Sequence, residues 1–109
     1  MSRLLEGVKI LDFTQYKAGP MGTQILGDMG ADVIKIERSR GGDLERSFAT
    51  FGRLTGEGDS PFFLALNRNK RSLALNIKTP EAREVIYKLA AEADVVVQNF
   101  RPGVLEKLG

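Results

Sequence analysis

Two chemically important side chains are missing from the sequence, which contains no cysteine and no histidine. Without cysteine, the chain can form neither a disulfide framework nor a thiolate metal site. Without histidine, it lacks the commonest general base and metal ligand of proteins. These absences exclude Ser-His-Asp and Cys-His catalytic sets, and we expect no metal site.

Long hydrophobic runs are missing too. No stretch approaches the roughly 20 apolar residues that a membrane-spanning helix requires, and residues 1–7 lack the apolar core of a signal peptide. We therefore expect a cytoplasmic protein without a membrane partner. The net charge is only +2, which gives weak support to nucleic-acid binding, so no nucleic-acid partner is expected.

The length and composition are those of one small soluble domain. The chain has 109 residues, of which 42% are hydrophobic and 28% are charged. A domain of this size buries roughly 60–70% of the surface that its unfolded chain exposes, so its core is adequate but thin. Residues 1–109 end just after a strand and one helical turn, which is the pattern expected of a truncated domain.

The hydrophobic pattern predicts an α/β domain with a mostly parallel sheet and flanking helices. Residues 8–13 and 31–37 fit strands, and apolar residues recur at helical spacing between them. Pro20 is expected at the first position of this helix and Gly30 at its end. Because strand, helix and strand follow within about 30 residues, the two strands are expected to be parallel.

The second half of the chain follows a long loop at residues 39–61, where a short helix is expected at residues 44–48. Thr79 should cap a helix with Pro80 at its first position, and that helix should bury Val85, Ile86, Leu89, Ala90 and Ala93. The other predicted elements are strands at residues 72–77 and 94–100, a helix at 104–108, and an apolar segment at 61–66 that fits either a strand or a helical turn.

A basic tract stands out in the middle of the chain. Residues 60–80 contain no acidic residue and four basic ones, namely Arg68, Lys70, Arg71 and Lys78. For an isolated charge cluster, a solvated turn is the commoner explanation. A polyanion held at the sheet edge is the functional alternative, and the role of the first three cations stays open between shaping the field around phosphates and bracing another part of the protein.

Further cations follow the predicted strands. Lys17, Arg38 and Arg101 lie just beyond three of them. Because the carboxyl ends of parallel strands meet at one edge, we expect these side chains to converge on one rim, where ligands of open α/β sheets bind. Convergent positive charge predicts a ligand with several phosphates.

The first strand–helix–strand unit also fits a nucleotide-binding domain of the NAD(P) type. Gly19 and Gly22 lie in the turn, and Glu37 ends the second strand at a position that binds ribose hydroxyls in nicotinamide proteins. The full G-x-G-x-x-G fingerprint is missing, however, and Pro20 interrupts the turn. A non-catalytic nucleotide-binding module therefore remains an alternative.

Four segments together resemble the N-terminal region of the family III CoA-transferases, the group that includes formyl-CoA transferase, carnitine CoA-transferase and α-methylacyl-CoA racemase. They are residues 11–20, 26–37, 67–73 and 93–103, and they occur in the family's order and spacing. The resemblance covers essentially the whole chain. Asp12-Phe13-Thr14 and Asn69 match transferases more closely than racemases, although a racemase-type fragment remains an alternative.

The resemblance implies a Rossmann-like fold, coenzyme A (CoA) as co-substrate and no metal. It also implies a homo-oligomer, because full-length members form interlocked dimers. The family moves CoA between carboxylic acids through an aspartate that attacks the acyl-CoA thioester. That aspartate lies downstream in the family and no acid here matches it. Residues 1–109 are therefore expected to be the N-terminal CoA-binding part of the large domain, without a catalytic residue and inactive alone.

The family's CoA contacts can be carried over by position. Arg and Lys suit the 3′-phosphate and pyrophosphate of CoA because they form charge-assisted hydrogen bonds. Arg38 also offers a planar face to the adenine. The positions implied as CoA contacts are Lys17, Ala18, Arg38, Leu75, Asn76, Ile77, Lys78, Asn99, Phe100, Arg101 and Lys107.

Overall fold

One parallel sheet organises the part of the chain that the computed structural model describes, residues 2–48 and 59–109. Its strand order is β3-β2-β1-β4. The strands are β1 (Lys9–Asp12), β2 (Asp32–Arg38), β3 (Lys70–Leu75) and β4 (Val95–Val97). The helices are α1 (Ala18–Asp28), α2 (Pro61–Leu66), α3 (Pro80–Glu92), α4 (Val104–Leu108) and a 3-10 helix at Leu44–Ser47. The predicted Rossmann-like α/β fold is confirmed.

The first strand–helix–strand unit forms as its pattern predicts. β1 and β2 pair in parallel, with Leu11 opposite Ile34, and Gly30 turns the chain out of α1 at a φ of 107°. Pro20 is the third helical residue rather than the first, because the Met21 N–H closes the first turn on the Lys17 carbonyl. Proline is tolerated there since N–H groups of a first turn have no partner within the helix.

One face of the sheet is apolar. Leu11, Phe13 and Ile36 form its buried centre, and α3 packs on it through Ile86, Leu89 and Ala90, together with Ala93 just after the helix. The expected burial of Val85 is wrong: it is 39% exposed, and Ala82 is buried instead. Ala82, Ile86 and Leu89 follow a spacing of four and three residues, which places Val85 at the margin of the buried stripe.

The opposite face changes character along the strands. Ile10 and Val33 pack near the amino ends with Leu26 of α1. Towards the carboxyl ends, the same face carries Lys35 and Glu37, both fully buried. The sheet therefore has an apolar core on one side and a charged interior on the other.

The segments around the long loop agree in part with the sequence. The expected helix at residues 44–48 is confirmed as the 3-10 helix, and residues 49–58 of the predicted loop lie outside the described residues. The apolar segment after Ser60 is a helix, α2, because the Ser60 hydroxyl accepts the Phe63 N–H at 3.1 Å. The same serine bonds back to the 3-10 helix through its N–H to the Arg46 carbonyl and its hydroxyl to the Glu45 carbonyl.

The later strands differ in length from the expectation. β3 begins at Lys70, two residues early, because Lys70 already pairs with Val33 of β2. β4 covers only three residues, Val95–Val97, paired with β1. Thr79 and Pro80 start α3 as predicted. In the part of the chain described here, no helix is long and apolar enough to cross a membrane.

Close packing at Gly19 provides a test of how α1 is seated. A Cβ at Gly19 would lie 2.6 Å from Thr14 Cβ and 3.1 Å from Asn99 Nδ2. We expect Gly19→Ala to destabilise the protein by about 1–3 kcal/mol, the usual cost of overpacking. Gly22 lies three residues on in the same helix with nothing within 4 Å of its Cβ.

Gly22→Ala is therefore the matched control. Alanine favours an exposed helical position over glycine by about 1 kcal/mol, so this variant should be slightly stabilised. Urea unfolding of both variants and the wild type measures the difference. Equal effects of the two substitutions would contradict the close approach of α1 to the loop after β1.

Candidate functional site

Two buried ion pairs underlie the carboxyl half of the sheet. Lys35 Nζ lies 2.8 Å from Asp43 Oδ2, and Lys70 Nζ lies 3.1 Å from Asp12 Oδ2. None of these four side chains is more than 2% exposed. Burial lowers the pKa of Lys70, although the Asp12 carboxylate opposes that shift. Because charges are costly to bury unpaired, these pairs fix where β2, β3 and the loop after β2 lie.

A third pair closes the end of β2. The Glu37 carboxylate accepts two hydrogen bonds of 2.7 Å from the Arg46 guanidinium, and others from the Asp43 N–H and the Ser72 hydroxyl, each at 2.8 Å. Burial alone raises the pKa of Glu37, but these hydrogen bonds outweigh it and hold the pKa at about 2. Glu37 is therefore ionised and fully occupied within the protein.

Three cations of the basic tract, Arg68, Lys70 and Arg71, are also paired. Arg68 binds Asp28 at 2.8 Å, and Arg71 binds Asp32 at 2.6 Å. Lys70 is the buried partner of Asp12. Since β3 begins at Lys70, Arg68 and Arg71 lie at the amino end of this strand. They brace α1 and β2, and they lie away from the edge where the strands end.

A cavity of about 850 Å³ lies at the carboxyl ends of the strands. The end of each strand contributes to its wall: residues 15–16 after β1, Arg38 at the end of β2 with 39–40 after it, 76–78 after β3 and 99–101 after β4. Its apolar lining residues are Phe13, Ile36, Leu44, Leu75, Ile77 and Phe100. The cavity therefore combines an apolar floor with the polar ends of four strands.

The charge of this cavity is positive. Its lining includes Arg38, Arg40, Lys78 and Arg101, and within the described residues none of these four forms an ion pair. The one acidic residue among the described lining residues is Glu37, which is already bound by Arg46. A cavity with unpaired cations over apolar side chains suits a ligand that has both anionic and uncharged parts.

Comparison with known proteins identifies the family. Residues 5–109 match CoA-transferase family III. The chain belongs to this family. Formyl-CoA:oxalate CoA-transferase of Bradyrhizobium sp. (strain ORS 278) is 48% identical over the whole chain, and that of Escherichia coli O6:H1 is 49% identical. The recognition of the family from sequence is therefore confirmed.

Solved structures agree with the family III assignment. Rv3272 of Mycobacterium tuberculosis superposes with a TM-score of 0.89 at 42% identity, covering 99% of this chain and 29% of that one. A CAIB/BAIF family protein from Brucella suis gives a TM-score of 0.88 at 41% identity, with 99% and 29% coverage. The chain spans about a quarter of the length of the curated relatives, 25% and 26% for the two transferases.

Most of the predicted contact positions meet at the cavity of this family III chain. Those among its lining residues are Arg38, Leu75, Asn76, Ile77, Lys78, Asn99, Phe100 and Arg101. The expected convergence of Arg38 and Arg101 on one rim is confirmed. Whether these residues bind CoA stays a prediction.

Three predicted positions are not among the lining residues. Ala18 is the first residue of α1, and Lys107 is an exposed residue of α4. Lys17 does not join the convergence: its ammonium lies 3.0 Å from Glu45 Oε2 and within 5.0 Å and 5.6 Å of the ring centres of Phe62 and Phe48. Glu45, 28 residues away in sequence, draws Lys17 to the 3-10 helix.

Sequence reasoning missed several lining residues. Arg40 follows the end of β2, and Gln15 and Tyr16 follow the end of β1. Position beyond a strand end is the signal available for all three, but in the sequence analysis it is applied only to the cations Lys17, Arg38 and Arg101. Among the described residues, no group of three or more acidic side chains is placed to hold a metal ion.

The low pKa of Glu37 predicts an acid-dependent loss of stability. A folded-state pKa of about 2, against an ordinary 4.5, means that Glu37 stabilises the fold fully above pH 4.5. This contribution, about 3 kcal/mol at one pKa unit per 1.36 kcal/mol, is lost as the pH falls from about 4.5 towards 2. Glu37→Gln should be less stable by this order at pH 7, and its deficit should shrink over that pH range.

Glu92→Gln provides the control for this experiment. Glu92 is 76% exposed and lies 3.6 Å from Lys9, and exposed pairs contribute about 0–1 kcal/mol. Thermal unfolding of the three proteins between pH 2 and pH 7 compares them. A deficit of Glu37→Gln that stays constant across this range would show that the carboxylate charge of Glu37 does not stabilise the fold.

Proposed function

We propose that this chain binds coenzyme A in the strand-end cavity and forms the CoA-binding part of an enzyme that moves CoA between carboxylic acids. The observation that carries the proposal is the convergence of four unpaired cations on one cavity from the ends of different strands. Membership of family III supports the reaction class. The names of the curated relatives make formyl-CoA and oxalate the first donor and acceptor to test.

The chemistry of CoA fits this cavity. Its 3′-phosphate and pyrophosphate match Arg38, Arg40, Lys78 and Arg101, which can donate charge-assisted hydrogen bonds to phosphate oxygens. The adenine and the pantetheine arm are uncharged and match the apolar floor. A volume of about 850 Å³ also lies within the range of small-molecule sites.

The attacking carboxylate of the transfer reaction is proposed to come from outside residues 1–109. The reaction needs a free carboxylate that can reach the thioester carbonyl. Among the described lining residues, the acidic candidate is Glu37, whose oxygens accept from Arg46, Asp43 and Ser72. A carboxylate with a pKa of about 2 and two oxygens engaged is a poor nucleophile. The chain would therefore hold and orient CoA without breaking the thioester.

The structure favours CoA over the nicotinamide alternative. NAD recognition needs an acid free to bind ribose hydroxyls at the end of β2, whereas the Glu37 carboxylate is occupied by Arg46. The curated relatives named above are transferases, which favours transfer over racemisation. The interlocked dimer and the cytoplasmic location implied by the family are likewise proposals.

Removing a cavity cation should weaken CoA binding. We expect Arg101→Ala and Lys78→Ala each to raise the Kd roughly tenfold, because a hydrogen bond to a charged group contributes about 1.5–3 kcal/mol. Dephospho-CoA should bind more weakly than CoA to the wild type. Isothermal titration calorimetry at fixed ionic strength measures all these affinities.

Arg71→Ala is the matched control, since it removes the same charge from the opposite edge, where Arg71 pairs with Asp32. Its CoA affinity should stay within about twofold of the wild type, because exposed charges that far apart are screened at physiological salt. If Arg71→Ala weakens binding as much as Arg101→Ala, net charge rather than the cavity governs binding. No heat of binding from the wild type would contradict the proposal itself.

The proposed division of labour predicts binding without turnover. Incubation of the chain with formyl-CoA and oxalate should give no oxalyl-CoA above the uncatalysed rate, and intact-mass spectrometry should find no acyl or CoA adduct. Saturating CoA should nevertheless raise the Tm, because a ligand that binds only the folded state stabilises it. An adduct mapped to Glu37 would contradict the proposed origin of the nucleophile.

A further inference from the structure

Tyr16, at the wall of the cavity, holds a backbone conformation that tyrosine rarely adopts. Its φ is +67°, in the left-handed region that side chains with a Cβ disfavour. The other described non-glycine residue with positive φ is Asn69, at +61°, and asparagine tolerates this region well. If position 16 only had to form a turn, asparagine or glycine would adopt this φ at a lower cost in free energy than tyrosine.

Side chains from four parts of the chain hold this conformation. These side chains form hydrogen bonds with the backbone N–H and carbonyl groups of residues 14–16. Asn99 bonds to both sides of Gln15, accepting its N–H at 2.9 Å and donating to its carbonyl at 2.8 Å. The other bonds are Thr14 N–H to Asp12, Lys35 to the Thr14 carbonyl, and Tyr16 N–H to Asp43.

A strained backbone conformation persists only where surrounding contacts enforce it, and such conformations concentrate at ligand sites. Here the enforcing contacts come from buried side chains: Asp12, Lys35 and Asp43 are each at most 1% exposed. The strain is therefore fixed before any ligand arrives. This conformation sets the direction of the Tyr16 side chain. Tyr16 lines the cavity and is 45% exposed. Its ring is edge-on to that of Phe48, with 6.2 Å between the ring centres.

A second observation at the same place points to a ligand. Gln15 lines the cavity, and its side-chain oxygen Oε1 is buried without a hydrogen-bond partner among the described residues. Buried acceptors are rarely left unpaired, since the lost hydrogen bond costs free energy. Rotation of the Gln15 side chain towards the cavity would let an N–H group of a bound molecule satisfy this oxygen. The cations that line the cavity lie at or after the ends of the other three strands, so the segment after β1 contributes no charged side chain to the wall.

We infer that Tyr16 is a specificity-determining residue whose ring packs on an uncharged, N–H-bearing part of the ligand, and that Asn99 is a positioning residue acting through the Gln15 peptide. The inference rests on the proposed binding of CoA. In CoA this chemistry belongs to the pantetheine amides and to the adenine amino group. The hydrogen bonds of the Asn99 side chain are then made to the loop after β1, and not to CoA as the family resemblance implied.

The first test distinguishes an effect of the Tyr16 ring on CoA affinity from an effect on the stability of the fold. Tyr16→Asn removes the ring but suits the left-handed φ, so we expect an unchanged or higher Tm together with a CoA affinity lower by about fivefold or more. Tyr16→Phe keeps the ring and should bind within about twofold of the wild type. A structural role alone would not lower affinity while stability rises.

Ligand fragments identify the part that the ring contacts. Adenosine 3′,5′-bisphosphate lacks the pantetheine arm. If Tyr16→Asn weakens CoA but not this fragment, the ring packs on pantetheine, and if it weakens both equally, the ring packs on adenine. Either result supports the inference. Unchanged binding of both ligands by Tyr16→Asn overturns it, whereas a wild type that binds no CoA overturns the proposed function and the inference with it.

A double-mutant cycle tests the role of Asn99. Asn99→Ala should lower CoA affinity in the wild type but cost little further in Tyr16→Asn, because both substitutions disturb the same contact. Asn76→Ala is the comparison: Asn76 lines the cavity, but among the described residues its side chain bonds only to the nearby Lys78 N–H, so its effect should add to that of Tyr16→Asn. Additive effects of Asn99→Ala and Tyr16→Asn would overturn the positioning role.

Discussion

The structure depends on charges buried beneath the carboxyl half of its sheet. Asp12, Lys35, Asp43 and Lys70 lie between β1, β2, β3 and the loop after β2, each paired with an opposite charge. Removing one member of a buried pair costs about 3–5 kcal/mol, because the other is left uncompensated. A register slip in this sheet would separate the pairs, so they specify one arrangement where apolar contacts alone would permit several.

Ion pairing also separates the cations of the molecule into paired and unpaired groups. Acids in the described residues draw most nearby cations into the interior or to the amino edge, as Asp28 and Asp32 do with the basic tract. The cations that line the strand-end cavity, including Arg38 and Arg101, have no acid partner in the same residues. Positive potential is thus concentrated at one edge of a chain whose net charge is only +2.

Local signals could be read from the sequence, and pairings distant in sequence could not. The α1 unit, the Thr79 cap and the family motifs each occupy neighbouring residues, and each was found. The acid partners of Arg68 and Arg71 lie 40 and 39 residues away, so their pairing could not be read from the sequence. The same limit explains Lys17, whose partner Glu45 belongs to a separate turn.

The hydrogen bonds of Ser60 have a consequence for insertions in this chain. Ser60 bonds to the carbonyls of Glu45 and Arg46, and Arg46 also binds Asp59 at 2.8 Å. The two ends of the intervening segment are therefore tied together whatever its length. Since doubling a closed loop costs only about 0.6 kcal/mol of entropy, insertions between these ends should be tolerated, leaving the sheet and its strand-end cavity unchanged while the segment diverges.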